Sequence, residues 1–172
     1  VLAARISSGT LSAKAWVNGY TDRDEGVGLG EAFAEWRPIP SSAWQWRFKG
    51  GLYFPELSLE SGGIGWTPEW TITPSIINSW VGQELRTIGA EATLEWRGDS
   101  DRIEFTAAAY GLNQPAGTAL ESIGWTFNDR PVGLLDHIRL PNYESPDGNP
   151  NYSYQFRQFD RRIGWYAGIS WD

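Results

Sequence analysis

Apolar and polar residues alternate with period two along most of this chain's longer segments. That is the mark of β-strands with two unlike faces. The clearest segment runs over 44–54, with Trp44, Trp46, Phe48, Leu52 and Phe54 on one side and Gln45, Arg47, Lys49 and Tyr53 on the other. Segment 87–97 sets Ile88, Ala90, Ala92, Leu94 and Trp96 against Thr87, Glu91, Thr93, Glu95 and Arg97. Segment 102–112 sets Ile103, Phe105, Ala107 and Ala109 against Arg102, Glu104, Thr106 and Tyr110. Segment 11–20 opposes Leu11, Ala13, Ala15 and Val17 to Ser12, Lys14, Trp16 and Asn18. Ala32, Ala34 and Trp36 oppose Phe33, Glu35 and Arg37 over 30–37, and Ile163, Trp165, Ala167, Ile169 and Trp171 oppose Tyr166 and Ser170 over 163–171. With a short opening run over 2–7, the pattern predicts seven strands in a single domain.

The links alternate as regularly as the residues do. Ser8 to Thr10, Pro38 to Ala43 and Gly98 to Asp101 are turn-sized and rich in Gly, Pro, Ser and Asp. Thr21 to Leu29 is longer, and links 55–86 and 113–162 are much longer still. Antiparallel strands joined in this way put every turn at one end and every loop at the other. Ordinary globular strands have about 5 to 6 residues. Eleven residues rising roughly 3.3 Å each and tilted near 45° span about 25 Å, the height of a lipid-facing band. The expected fold is all-β: an antiparallel up-and-down meander forming part of a transmembrane β-barrel of the outer-membrane porin type. Because single-chain bacterial barrels have even strand numbers, seven strands read as one stretch of a larger barrel of roughly 14 to 18. The start at Val1, without a signal peptide, reads in the same way as a mature or excised form.

Something apolar must cover the aromatic side of segment 44–54. Lipid would do so in a barrel, and a second sheet would do so in a sandwich. Trp36, Trp44, Trp46, Trp96 and Trp171 all fall near the short turns and are expected to form a lipid-facing girdle at one level. The alternative is a soluble, Trp-rich β-sandwich that binds carbohydrate, using Trp66, Trp70 and Trp125 as stacking platforms.

Composition narrows the field. The 172 residues include 11 Trp, no Cys and a net charge of −7. No run approaches 18 apolar residues, so a membrane-spanning helix is excluded. The acidic balance and the lack of a basic run argue against nucleic acid as a partner.

The stretch Gly65-Trp66-Thr67-Pro68, the run from Thr71 through Trp80, Glu84 and Arg86 to Glu91, Asn113 to Gly117, Gly124-Trp125 and Asp129-Arg130-Pro131 carry a family likeness. Over about Leu11 to Pro141 the chain resembles a family of proteobacterial outer-membrane proteins described as porins. The resemblance implies a β-barrel in the bacterial outer membrane and supplies no catalytic residues.

Two site expectations follow. Lys14, Glu35, Arg37, Arg47, Lys49, Glu91, Glu95, Arg97, Arg102 and Glu104 should line a pore of mixed sign. They act either on passing solutes or as ordinary cross-strand pairs. Thr73 and Pro74 have N-cap and first-turn character for a short helix to about Glu84. Trp66, Trp70, Trp80 and Glu84 then make this loop a constriction or a hydrophobic rim cap.

Catalysis finds little support, and a barrel enzyme would have His137 as its only candidate base. The sole histidine, His137, stands beside Asp136 with no nucleophile or zinc spacing, and Asp147 to Asn151 reads as a turn rather than a calcium loop. The expected activity is passive diffusion of small hydrophilic solutes, with the bilayer as partner, self-association open, and no enzyme activity, metal or cofactor.

Overall fold

The computed structural model describes residues 2–19, 26–55, 71, 75, 86–112, 133–135, 137–144, 150–154 and 162–172. Seven strands form one open sheet: β1 (Leu2–Ser8), β2 (Leu11–Gly19), β3 (Val27–Trp36), β4 (Trp44–Tyr53), β5 (Thr87–Arg97), β6 (Arg102–Gly111) and β9 (Gly164–Trp171). Their order is β1-β2-β3-β4-β5-β6-β9, each antiparallel to the next. The meander read from the period-two segments is therefore present, and no helix occurs among the described residues.

Two further strands, β7 (His137–Glu144) and β8 (Pro150–Tyr154), pair in a separate two-stranded sheet. They correct the expectation that 113–162 holds no strand. Pro141 falls within β7 and Pro150 begins β8, and proline in a segment argues against strand because it cannot donate to the ladder. The ladder accommodates it with a register shift between Arg139 and Glu144. Pro150 and Asn151, read as part of a turn, belong to β8.

The turn end is tight. Ser8 pairs with Leu11 across a two-residue loop in which Gly9 adopts φ +59°, the positive value that a II′ hairpin requires at its first position. Arg37 N donates to Thr10 O at 2.8 Å, Arg97 N to Ala43 O at 2.9 Å, and Gly98 N to Asp101 O at 2.8 Å. At the loop end, β3 begins at Val27, three residues earlier than expected. Gly28 pairs with Asn18, and Gly30 is the extra residue of a bulge opposite Trp16 and Val17. The bulge at Gly30 lets the strand bend there. A Cβ on Gly30 would stand 2.1 Å from the Trp16 ring, so the indole occupies that space itself.

Burial runs opposite to that of a water-soluble sheet. Lys49, Glu31, Glu91, Glu95, Asn18, Thr87 and Thr93 are buried. Trp36, Trp44, Trp46, Phe48, Phe105, Trp165, Ile169 and Trp171 are exposed, as are Leu2, Ile6 and Leu11. Register explains the division. On β4, β5, β6 and β9 the residues paired in line with Trp46 are Leu94, Phe105 and Ile169, while those in line with Lys49 are Glu91, Ala108 and Tyr166. Lys and Glu are almost never buried unless paired, and these side chains shelter one another on one face of the sheet. Glycine lets neighbouring groups approach closely: Cβ atoms on Gly51, Gly89 and Gly164 would collide with Phe33, Tyr110 and Tyr110 respectively. Gly51 also has φ +135°, which only glycine adopts without strain.

Candidate functional site: the polar face

The inward face carries three knots of polar side chains. At the loop end, Glu31 collects Trp16 Nε1 at 2.7 Å, Lys14 Nζ at 3.4 Å and the Phe54 backbone N at 3.1 Å. Phe54 was expected on the apolar side. Because β4 ends at Tyr53, the alternation stops, and the Phe54 ring stacks on Trp16 at 6.3 Å and 6°. Arg86, fully buried, donates to Leu29 O and Gly30 O at 3.3 and 3.0 Å and lies 5.5 Å from the Phe54 ring centre. Leu134 N adds a bond to Leu29 O at 2.9 Å. β3 and β4 pair only from Ala32 to Trp36, so these groups satisfy the stretch of β3 that extends past its neighbour.

The second knot lies mid-wall. Lys49 Nζ holds Glu91 at 2.9 Å, and the Tyr166 hydroxyl donates to the other Glu91 oxygen. The third lies toward the turns. Arg47 reaches Thr93 at 3.4 Å and Glu104 at 3.9 Å, and Thr93 bonds Thr106 at 3.3 Å. Arg102 engages both Glu95 and Glu104, and Arg97 engages Glu95.

The residues expected to line a pore divide between the middle of the polar face and its turn end. Lys14, Glu35, Arg47, Lys49, Glu91, Glu95 and Glu104 lie along the inward face. Arg37 sits one residue past β3, and the side chains of Arg37, Arg97 and Arg102 are 47%, 59% and 45% exposed, which places them at the turn-end rim. A hollow of about 420 Å³ opens on this rim, lined by Arg5, Ser7, Ser12, Glu35, Arg37 and Gln45 among others. Glu31 and Arg86 are site residues that the sequence reading passed over. Glu31 shares the period of Phe33 and Glu35 and was legible from it. Arg86 precedes β5 and carried no periodic signal.

On the opposite face, Trp44, Trp96, Ile103 and Trp171 pair in one continuous line across β4, β5, β6 and β9. Trp46 stands one step inward in line with Leu94, Phe105 and Ile169, and Trp36 stands opposite Phe48. The expected single level is thus a band several residues deep. Its rings touch: Trp36 and Trp46 both stack on Phe48 with centroids 5.5 Å away. Trp171 Nε1 donates to Asp101 in the turn at 3.2 Å, leaving the ring apolar and its one donor satisfied.

Trp66, Trp70, Trp80, Glu84 and the helix expected over 74–84 lie outside the described residues, apart from Ser75, as does Trp125. His137 opens β7 opposite Tyr154. Among the described residues, no three His, Cys, Asp or Glu side chains converge as a metal site, and no helix is long and apolar enough to cross a membrane. No protein-family description, characterised protein or solved structure matches this chain.

Proposed function

We propose that this chain forms a wall of an outer-membrane β-barrel of the porin type, through which small hydrophilic solutes diffuse. One observation carries the reading: the sheet hides its charges and presents its aromatics. Trp46, Phe48 and Phe105 are 45%, 37% and 44% exposed on an uninterrupted apolar face, while Lys49 and Glu91 are 7% and 4% exposed behind it. In water each such ring forgoes part of the roughly 1.5 to 3 kcal/mol that full burial is worth. Hydrocarbon supplies it. The strands β3 to β6 are 10 or 11 residues long, the length a tilted strand needs to cross a bilayer. Their tryptophans crowd the turn end as boundary residues do. A soluble sandwich needs a second layer over Trp46, Phe48 and Phe105, and their exposure weighs against one.

The polar wall mixes signs and pairs nearly every charge with a neighbour, which favours weakly selective passage over strict cation or anion selectivity. Two measurements test the reading. The full chain expressed in a Gram-negative host should fractionate with the outer membrane and migrate differently on gels before and after boiling. In planar bilayers it should give stepwise conductance with nearly equal permeability to small cations and anions. Release in salt washes, with no heat shift, would refute the barrel; a heat shift without conductance would refute the channel alone.

A further inference from the structure

Among the described residues of the polar face, one cation stands alone. Lys14 is held by Glu31, Arg37 by Glu35, Arg47 by Glu104, Lys49 by Glu91, and Arg97 and Arg102 by Glu95. Arg5 on β1 is exposed and has no hydrogen-bond or ion-pair partner among the described residues. Register places it opposite Lys14, and it lines the hollow of about 420 Å³ at the turn end.

Four strands and the turns between them build that hollow. Ser7, Ser12 and Glu35 stand in one line across β1, β2 and β3. Arg5 lies two residues before Ser7 and Arg37 two after Glu35, so the guanidiniums flank the serine pair from opposite sides. Gln45 closes the β4 side, and Pro38 and Ile39 give the hollow an apolar wall. The side chains of Ser7, Ser12 and Gln45 have no hydrogen-bond partner among the described residues. The backbone beneath them is fixed: Arg37 N donates to Thr10 O at 2.8 Å, and Gly9 closes the β1–β2 turn at φ +59°. Small-molecule sites of roughly 300 to 1,000 Å³ have this kind of lining, a few convergent polar groups beside apolar surface.

The charges define what fits. Arg5 and Arg37 against Glu35 leave the hollow one positive charge in excess. The Arg37 side chain is 47% exposed and meets Glu35 at 3.4 Å, a loose surface pair that an arriving anion can share. Arg5 has no pair to break. A guanidinium presents a planar fork of N–H donors that matches the two oxygens of a carboxylate. Glu35 repels a second negative charge, so the hollow suits a monoanion over a dianion.

We propose that this hollow binds small monocarboxylates. The carboxylate lies against the Arg5 fork, with the Ser7 and Ser12 hydroxyls donating beside it, Arg37 as the second cation and a short aliphatic tail against Pro38 and Ile39. The site goes beyond the channel reading and stands on side chains at one end of the sheet, whether or not a passage runs past them.

Isotope-labelled butyrate titrated into the full folded chain at physiological ionic strength tests it. The carboxyl carbon resonance is the readout, and circular dichroism confirms that each variant keeps its strands. Wild type should shift the signal saturably, whereas partition into lipid or detergent does not saturate. Arg5→Gln should weaken binding about ten-fold, the weight of one hydrogen bond to a charged group. Arg5→Lys keeps the charge without the fork and should recover only part of the loss. Ser12→Ala should cost a few-fold, and succinate and butylammonium should compete poorly. Binding that does not saturate, or that Arg5→Gln leaves unchanged, overturns the site. Succinate competing as well as unlabelled butyrate overturns the monocarboxylate assignment. None of these readouts involves conductance, so the channel reading stands or falls apart from them.

Discussion

At the scale of single residues, the decisive question is what solvent the outward side chains meet. Ala107 illustrates it. The residue is exposed, faces the apolar side and pairs with Ala92 and Ala167. In a water-soluble sheet, Ala107→Arg at such an exposed site would change stability by within about 0.5 kcal/mol. In a bilayer the same substitution places a guanidinium among acyl chains and should cost about 2 to 4 kcal/mol near the midplane. Denaturant unfolding of the lipid-reconstituted chain measures which applies. Face assignments of this kind were readable from alternation alone: Arg47, Lys49, Glu91, Glu95 and Glu104 fall on the inward face, and Trp44, Trp46, Trp96 and Trp171 on the outward one. Alternation failed where the strand stopped. Phe54 kept the parity of Trp44 and Trp46 in the sequence, yet one residue beyond β4 its ring turns inward onto Trp16.

At the scale of elements, β4 and β5 pair in register without interruption from Trp44 opposite Trp96 to Tyr53 opposite Thr87. Their shared ion pair makes them interdependent. Lys49→Met leaves Glu91 buried without its cation and should destabilise the reconstituted chain by about 3 to 5 kcal/mol. Adding Glu91→Leu should recover most of that loss, because an apolar pair of similar volume replaces the ions without stranding either. Unfolding of the two single variants and the double variant forms the cycle that checks it. The elements themselves were legible in proportion to their regularity. β5 was read to the residue, since nothing in it departs from period two. β3 was read short because the stretch before Gly30 breaks period two, and the bulge at Gly30 that restores the pairing depends on Trp16 filling the space over it from the next strand. β7 and β8 escaped notice because their prolines obscure the ladder signal.

At the scale of the whole molecule, the sheet is open, with β1 and β9 each lacking a neighbour on one side. Strongly exposed apolar side chains lie on both: Leu2 and Ile6 on β1 at 72% and 75%, and Trp165 and Trp171 on β9 at 76% and 73%. Edges of this kind cannot lie bare in hydrocarbon, so in a membrane both strands must find partners. The unequal links have a consequence of their own. Between β1 and β2, β3 and β4, and β5 and β6 the chain offers two, seven and four residues; Ser8 pairs with Leu11 to close the first of these hairpins, and Gly98 N bonds Asp101 O in the last. Between β4 and β5 it offers 33 residues, and between β6 and β9 it offers 52, β7 and β8 included. A protease needs several residues of accessible backbone in its cleft. Supplied to intact cells it should therefore cut at the ends where Tyr53 and Gly111 leave the sheet, and supplied from the periplasmic side it should find almost nothing to hold. On the proposed barrel reading, the fragment pattern would report which way the strands run across the bilayer.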